Sequence, residues 1–363
     1  MPAIRRSTMA RSSAPRAATT LLGASAAAWL TWAFVRASGD DSTGLEALAV
    51  LSSPYAVAPL ALLAGVLLGA RLSAARTGPL VPIALSLVLY LGVVWTLEPG
   101  KLPLGYANAN AAMGIQVLAL SAIAAATCPT RGRPALLASA GAAVAVVLAN
   151  SSVAAVPLAA GVVALILVAA ASGARRWPVR VLALGALVGT AGCWYGFWWL
   201  VREPAADTWL AQRGDPTRGR LWADALEIWD SNPRRGAGPG AFATSSPLAA
   251  DPDTSAAHSL LLQVGAEVGW IGLGLLATIW LAGLILATRG TARTAIPALA
   301  AWSALAVHSL VDHLVDFAPV MLTAGMVLGW AGASGERSEQ LDVTQTEAPL
   351  RRFGRGARQG PSR

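Results

Sequence analysis

A chain of 363 residues that is 55% hydrophobic and 13% charged carries about half the charged fraction of a soluble domain of that size. Its net charge of +8 does not point to nucleic acid, because the basic residues sit in short segments between apolar runs, as in a polytopic membrane protein. Cys128 ends one apolar run and Cys193 lies inside another, so neither a disulfide nor metal-ligand spacing is expected.

In chain order, spans are expected at 17–35, 51–70, 79–97, 109–127, 135–150, 153–172, 179–200, 259–287, 295–311 and 314–333. The first run has the basic flank and the small residues Ala24-Ser25-Ala26 of a cleaved leader, but its continuation through Trp29, Trp32 and Phe34 favours a span. The apolar block 135–172 is too long for one helix in a hydrocarbon core of about 30 Å, and it divides at Asn150-Ser151-Ser152 and Pro157.

Arg71 and Arg76, Arg131 and Arg133, Arg175, Arg176 and Arg180, then Arg289 and Arg293 occupy connections on one side, which marks that side as cytoplasmic. Asp40, Asp41, Glu46 and Glu98 lie on the other. The expected fold is all-α, a polytopic transmembrane bundle of about ten spans in the cell membrane with both termini cytoplasmic. It comprises a basic N-terminus at 1–16, a membrane domain at 17–333, and a polar, disordered tail at 334–363.

A long polar loop at 201–258 interrupts the apolar pattern and is expected to face outward. Asp215-Pro216 is a helix start, an N-cap carboxylate followed by proline at the first helical position. Trp222, Leu226 and Trp229 fall on one face of that helix and Asp224, Glu227 and Asp230 on another, the pattern of an amphipathic helix on a membrane surface. Asn232-Pro233 ends it. The run Gly236-Ala237-Gly238-Pro239-Gly240 is a side-chain-poor turn whose amides could approach a ligand closely.

Arg218 and Arg220 sit near the N-terminal end of this helix, where the macrodipole disfavours cations unless an anion is bound. Asp215, Asp224 or lipid phosphates are the structural alternatives as their partners. His258 precedes the next apolar run and is expected in the first turns of its helix, where the dipole keeps an imidazole neutral and able to accept a proton. Glu267 falls on the opposite face from His258, one turn below Gln263, and reads as part of a polar network. His308, Asp312 and Asp316 are spaced to share a helix face. They suit a hydrogen-bonded polar pocket better than a metal site, for which one histidine and two carboxylates are a weak signature.

These residues resemble the O-antigen ligase and polymerase superfamily of membrane glycosyltransferases. The likeness rests on Arg218 with Trp222, Ala225-Leu226, Pro233, Gly236, Gly238 and Phe242, His258-Ser259, and Glu267-Val268-Gly269-Trp270-Ile271-Gly272. Two further similar segments are Gly105-Tyr106-Ala107-Asn108-Ala109-Asn110 and His308-Ser309-Leu310-Val311-Asp312.

The resemblance implies a GT-C-like fold and transfer of a glycan from a polyprenyl-pyrophosphate carrier to an acceptor hydroxyl on the outer membrane face. The acceptor would be another glycan, a lipid or a cell-wall anchor, with no metal, cofactor or nucleic acid involved. In that reading Arg218 and His258 are catalytic, and Arg220, Trp222, Gly236, Gly238, His308 and Asp312 bind the substrate. The family's second arginine, in a Ser-Arg pair, is replaced here by Asn150-Ser151-Ser152. Either Arg202, Arg213 or Arg220 substitutes, or the chain is a divergent or inactive member. A lipid-linked-glycan flippase is the alternative class, and it requires charged residues along the spans.

Overall fold

The computed structural model describes residues 3–38, 49–74, 104–127, 133–150, 154–172, 177–203, 215–251 and 254–335. Eleven α-helices are seen among the described residues: α1 (Ala3–Ala37), α2 (Pro54–Ala74), α3 (Ala107–Thr127), α4 (Arg133–Ala149), α5 (Ala155–Ser172), α6 (Trp177–Arg202), α7 (Pro216–Ser231), α8 (Ala241–Ser245), α9 (Leu260–Ala287), α10 (Ala292–His308) and α11 (318–335). No strand occurs among these residues. Among the described residues six helices are long and apolar enough to cross a membrane: Ala17–Ala37 within α1, then α2, α3, α5, Pro178–Arg202 within α6, and α9. The expected span at 79–97 lies outside the described residues, as do the expected tail beyond 335 and the acids at 40, 41, 46 and 98.

The apolar block divides where its polar residues sit, with α4 ending at Ala149 and Asn150 in the turn. The Asn150 side chain folds back to donate to the Val146 carbonyl at 2.8 Å. α3 is the buried centre of the bundle, packed on α4, α5 and α10, and α9 packs on α1.

α7 begins as its cap predicts, with Asp215 accepting the Thr217 amide at 2.9 Å and Pro216 at the first position. Its apolar face, however, is covered by protein and not by lipid. Leu221, Trp222, Ala225 and Trp229 are buried, and Trp229 packs on Trp270 of α9 with ring centroids 4.8 Å apart. The expectation of a helix lying on the membrane surface is corrected accordingly. A pair of tryptophans is more apolar area than one helix leaves exposed when a neighbouring helix can cover it.

α9 is broken at Gly269, whose φ of +69° is left-handed. The break frees carbonyls before it and amides after it, and the glycine-rich turn satisfies both sets. Ala237 N donates to Ala266 O and Gly238 N to Glu267 O, each at 2.8 Å, while Trp270 N donates to Pro233 O and Ile271 N to Arg234 O. Gly236 adopts φ of +68°, and a Cβ there would collide with the backbone of Glu267 and Val268. The glycines at 236 and 269 therefore let two backbones interlock inside what is otherwise a spanning helix.

Glu267 completes the joint. Its carboxylate accepts from the Gly240 amide at 2.9 Å, the Phe242 amide at 3.1 Å and Gln263 Nε2 at 2.7 Å, capping α8.

Candidate functional site

The ends of α1, α6 and α10 and the starts of α2, α3, α9 and α11 gather at the end of the bundle that carries α7. α10 stops at His308, and the chain crosses a loop at 309–317 before α11 begins. His308, Asp312 and Asp316 consequently do not share a helix face, and that expectation is corrected. Pro319, one residue into α11, fits a helix start there and not a continuous helix through it. The loop is pinned to α9 by the Leu260 amide, which donates to Ser309 O at 2.8 Å and to Asp312 O at 3.2 Å.

His258 lies before α9 and not within its first turn. Ser259 is the N-cap, its hydroxyl accepting from the Leu262 amide. His258 has φ of +49°, the one positive value at a non-glycine position among the described residues. A left-handed histidine is held by its surroundings at a cost of about 1–3 kcal/mol, and such strain gathers where a side chain must be aimed.

Those surroundings centre on Asp312, whose side chain is completely buried. The Tyr106 hydroxyl lies 2.8 Å from Asp312 Oδ1 and 3.0 Å from Oδ2, and Asn108 Nδ2 donates to Oδ2. The His313 amide donates to Oδ1 at 2.9 Å, and its Nδ1 lies 3.1 Å away. His258 Nδ1 is 3.5 Å from Oδ1 and 3.2 Å from the Tyr106 oxygen. Phe317 stacks flat on Tyr106 with centroids 5.6 Å apart, and the His313 ring stands edge-on to His258 at 4.6 Å.

Burial by itself raises a carboxyl. Here the imidazoles of His258 and His313 and the Arg218 guanidinium overrule it, holding Asp312 well below the usual carboxylate range. Burial and the Asp312 charge push the Tyr106 phenol up, so it remains a donor. Its single proton belongs to the carboxylate, which can only accept. When His258 Nδ1–H donates to the phenol oxygen, Nε2 is the ring nitrogen left with the lone pair.

Arg218 reaches the same cluster from the first turn of α7. Its Nη1 donates to the Val311 carbonyl at 2.6 Å, Nη2 lies 3.7 Å from Asp312 Oδ2 and Nε 3.8 Å from Asp215 Oδ2. Roughly a quarter of the side chain remains exposed. The structure therefore brings Arg218, His258 and Asp312 together with Tyr106 and Asn108, from the Gly105–Asn110 segment noted in sequence, and with His313, which the sequence reading gave no site role. Tyr106 and Asn108 belong to the polar segment immediately before an apolar run, a signal of a helix end that carries function.

The other expected ligands fall elsewhere. Arg220 is exposed, two residues round the helix from Arg218. Trp222 is buried edge-on against Phe197 at 5.1 Å and presents no face to a glycan. Gly236 donates its amide to Asn232 O and Gly238 to Glu267 O, so neither amide is left for a phosphate. His308 is 1% exposed at the end of α10. Arg202, one candidate for the missing second arginine, pairs with Asp230 at 2.6 Å and stacks over Trp198 and Trp229. Arg213, Ser151 and Ser152 lie outside the described residues.

His258, Asp312 and His313 offer three ligand atoms within 4.8 Å of one another, enough to seat a divalent cation. Two features oppose one: the Arg218 guanidinium already neutralises this carboxylate, and His258 Nδ1 is engaged with Tyr106. Next to this loop, lined by its Val315 and Asp316, a cavity of about 960 Å³ opens among α1, α2, the glycine turn and α9.

Residues 136–277 match the family model described as O-antigen ligase. The matched segment runs from α4 into α9 and contains Arg218, the glycine turn and His258, while Tyr106, Asp312 and His313 fall outside it. Members of that family are glycosyltransferases and ligases, and the apolar helices accord with a multi-pass membrane protein. A search of curated proteins found no match.

Proposed function

We propose that this chain, whose residues 136–277 match the O-antigen ligase family, belongs to the O-antigen ligase and polymerase superfamily and transfers a glycan from a polyprenyl-pyrophosphate carrier to an acceptor hydroxyl at the outer face of the cell membrane. The observation that carries the reading is one arginine and one oriented histidine at a common buried carboxylate. Arg218 lies beside Asp312 with part of its side chain exposed, and His258 is held by Tyr106 and Asp312.

The chemistry needs three things from the protein. His258 Nε2 takes the proton of the acceptor hydroxyl as its oxygen attacks the anomeric carbon. The bond from that carbon to the pyrophosphate oxygen breaks, and the electron pair leaves with the carrier. Arg218 meets the negative charge that develops there through charge-assisted hydrogen bonds, a role a neutral side chain fills poorly. Asp312 stabilises the imidazolium as it forms, and Tyr106 keeps the ring aimed. No metal is required for this sequence.

A flippase would carry its substrate past charged residues in the spans. Among the described residues Glu267 is a charged side chain buried within a candidate span, and it is occupied as a cap. The test is to incubate the purified protein with a polyprenyl-pyrophosphate glycan and a panel of glycan and lipid acceptors and to measure free carrier. Release that depends on acceptor supports transfer. Translocation of the intact donor across vesicles, with no release, supports the flippase.

A further inference from the structure

The cavity of about 960 Å³ is at the upper end of the size range of ligand pockets, and the site described above does not use it. Its floor is apolar, with Leu62, Leu276, Ile279 and Met321, and Trp29 and Tyr55 stack at 5.7 Å on its wall. Most polar groups at its rim are engaged. Glu267 caps α8, Gln263 bridges Glu267 and the Ala257 amide, and Arg36 donates to the carbonyls of Arg235 and Gly236.

The exceptions are the Tyr55 hydroxyl, which has no hydrogen-bond partner among the described residues, and Asp316. Its carboxylate lines the cavity and makes no hydrogen bond or ion pair with any described residue, although burial is strong enough to push it up to about 6. A half-buried carboxylate open to a cavity is an acceptor that a ligand's donor can satisfy. Asp316 also closes the short turn Leu314–Asp316, three residues beyond His313, whose ring is 4.6 Å from that of His258. One wall of the cavity is therefore the back of the catalytic loop.

The rim selects by charge. Among the described residues two carboxylates line the cavity, and the arginine that lines it is committed to backbone carbonyls. A pyrophosphate would be repelled, while a hydroxyl would be welcomed. Aromatic faces above an apolar floor suit a sugar attached to a chain.

We propose that this cavity is the acceptor subsite: it receives the neutral, hydroxyl-bearing sugar of an amphiphilic glycan, with Asp316 accepting from one hydroxyl, at a wall that includes Ser255, Ala256 and Leu260 on either side of His258. This rests on the transfer reading above and adds where the acceptor enters and of what class it is.

Two measurements test it on the full chain in detergent. In steady-state transfer, Asp316→Asn, which is isosteric, should raise the acceptor KM about tenfold or more, the effect of losing a hydrogen bond to a charged group, and leave the donor KM in place. A shift in the donor KM alone, or in neither, overturns the proposal.

Independently of turnover, a photoreactive octyl glucoside should label residues 54–62 in the parent protein, with labelling lost in Ala58→Phe and not competed by geranylgeranyl pyrophosphate. Absence of that label, or competition by the pyrophosphate, refutes the subsite. If no substrate is turned over yet the label appears where expected, the transfer reading fails and the glycan site stands.

Discussion

Tyr106→Phe is the substitution that isolates the proposed orientation of His258. It deletes one oxygen, which lies 2.8 Å from Asp312 Oδ1 and 3.2 Å from His258 Nδ1, and it leaves the ring to stack on Phe317. A hydrogen bond to a charged partner contributes about 1.5–3 kcal/mol. Expressed wholly in the transition state, that is roughly a 10- to 160-fold fall in kcat. Asn108 and the His313 amide still donate to the carboxylate, so Asp312 keeps partners and the fold survives.

The assay is acceptor-dependent carrier release, read as kcat and KM together with a melting temperature. The expected result is a lower kcat, a donor KM within about twofold of the parent protein, and a melting temperature within the few degrees that about 1 kcal/mol produces. Unchanged kcat would refute the Tyr106 link to His258. A melting temperature lowered with kcat intact would make Tyr106 a packing residue only.

Other predictions concern the framework. Gly236→Ala adds a methyl group at φ of +68° against the backbone of α9, so it should cost several kcal/mol, about the sum of strain and overpacking, and be seen as loss of folded protein on gel filtration. Glu267→Ala leaves the buried amide of Phe242 and that of Gly240 without their acceptor; at about 1–3 kcal/mol each, the melting temperature should drop well beyond that of Tyr106→Phe.

Arg202→Ala removes an ion pair whose members are 33% and 57% exposed and should change stability by less than about 1 kcal/mol with turnover retained. A large loss of activity there would instead mark Arg202 as the second pyrophosphate arginine.

Asp316 makes a signed pH prediction. Burial, reinforced by Asp312 and opposed by His313 and His258, raises it to about 6, and the carboxyl of Glu267 and the phenol of Tyr55 also line its cavity. A carboxyl raised in the folded state stabilises fully below its unfolded value near about 3.9, and that contribution is lost as pH rises through about 6. Asp316→Asn should therefore raise the melting temperature at about pH 8, with the gain gone below about pH 4.

What the sequence made legible was local. Asp215-Pro216 and Asn232-Pro233 bound α7 because caps and proline act on their own backbone, and Asn150 splits the apolar block for the same reason. The pairing of the glycine turn with the break in α9 could not be read, because nothing in 233–240 states which carbonyls it will meet. Two motifs that seemed separate are the halves of one joint.

The site followed the same division. Arg218 and His258 were visible as a cation and a base in a polar loop. Asp312 was visible too, but its partners were misread through a helix that ends at His308. The segment of Tyr106 was visible in sequence, but its place beside His258 was not, because the two are separated by 152 residues of chain.

The central claim is that Arg218 and His258 act together on a lipid pyrophosphate glycan, and carrier release by Arg218→Ala and His258→Ala tests it most directly. Loss of a base of this kind costs about 10²–10⁴ in rate, and loss of a donor to a developing oxyanion about 10²–10³. Both variants are predicted to fold and to release carrier at under about 1% of the parental rate. Parental rates in both would contradict the account.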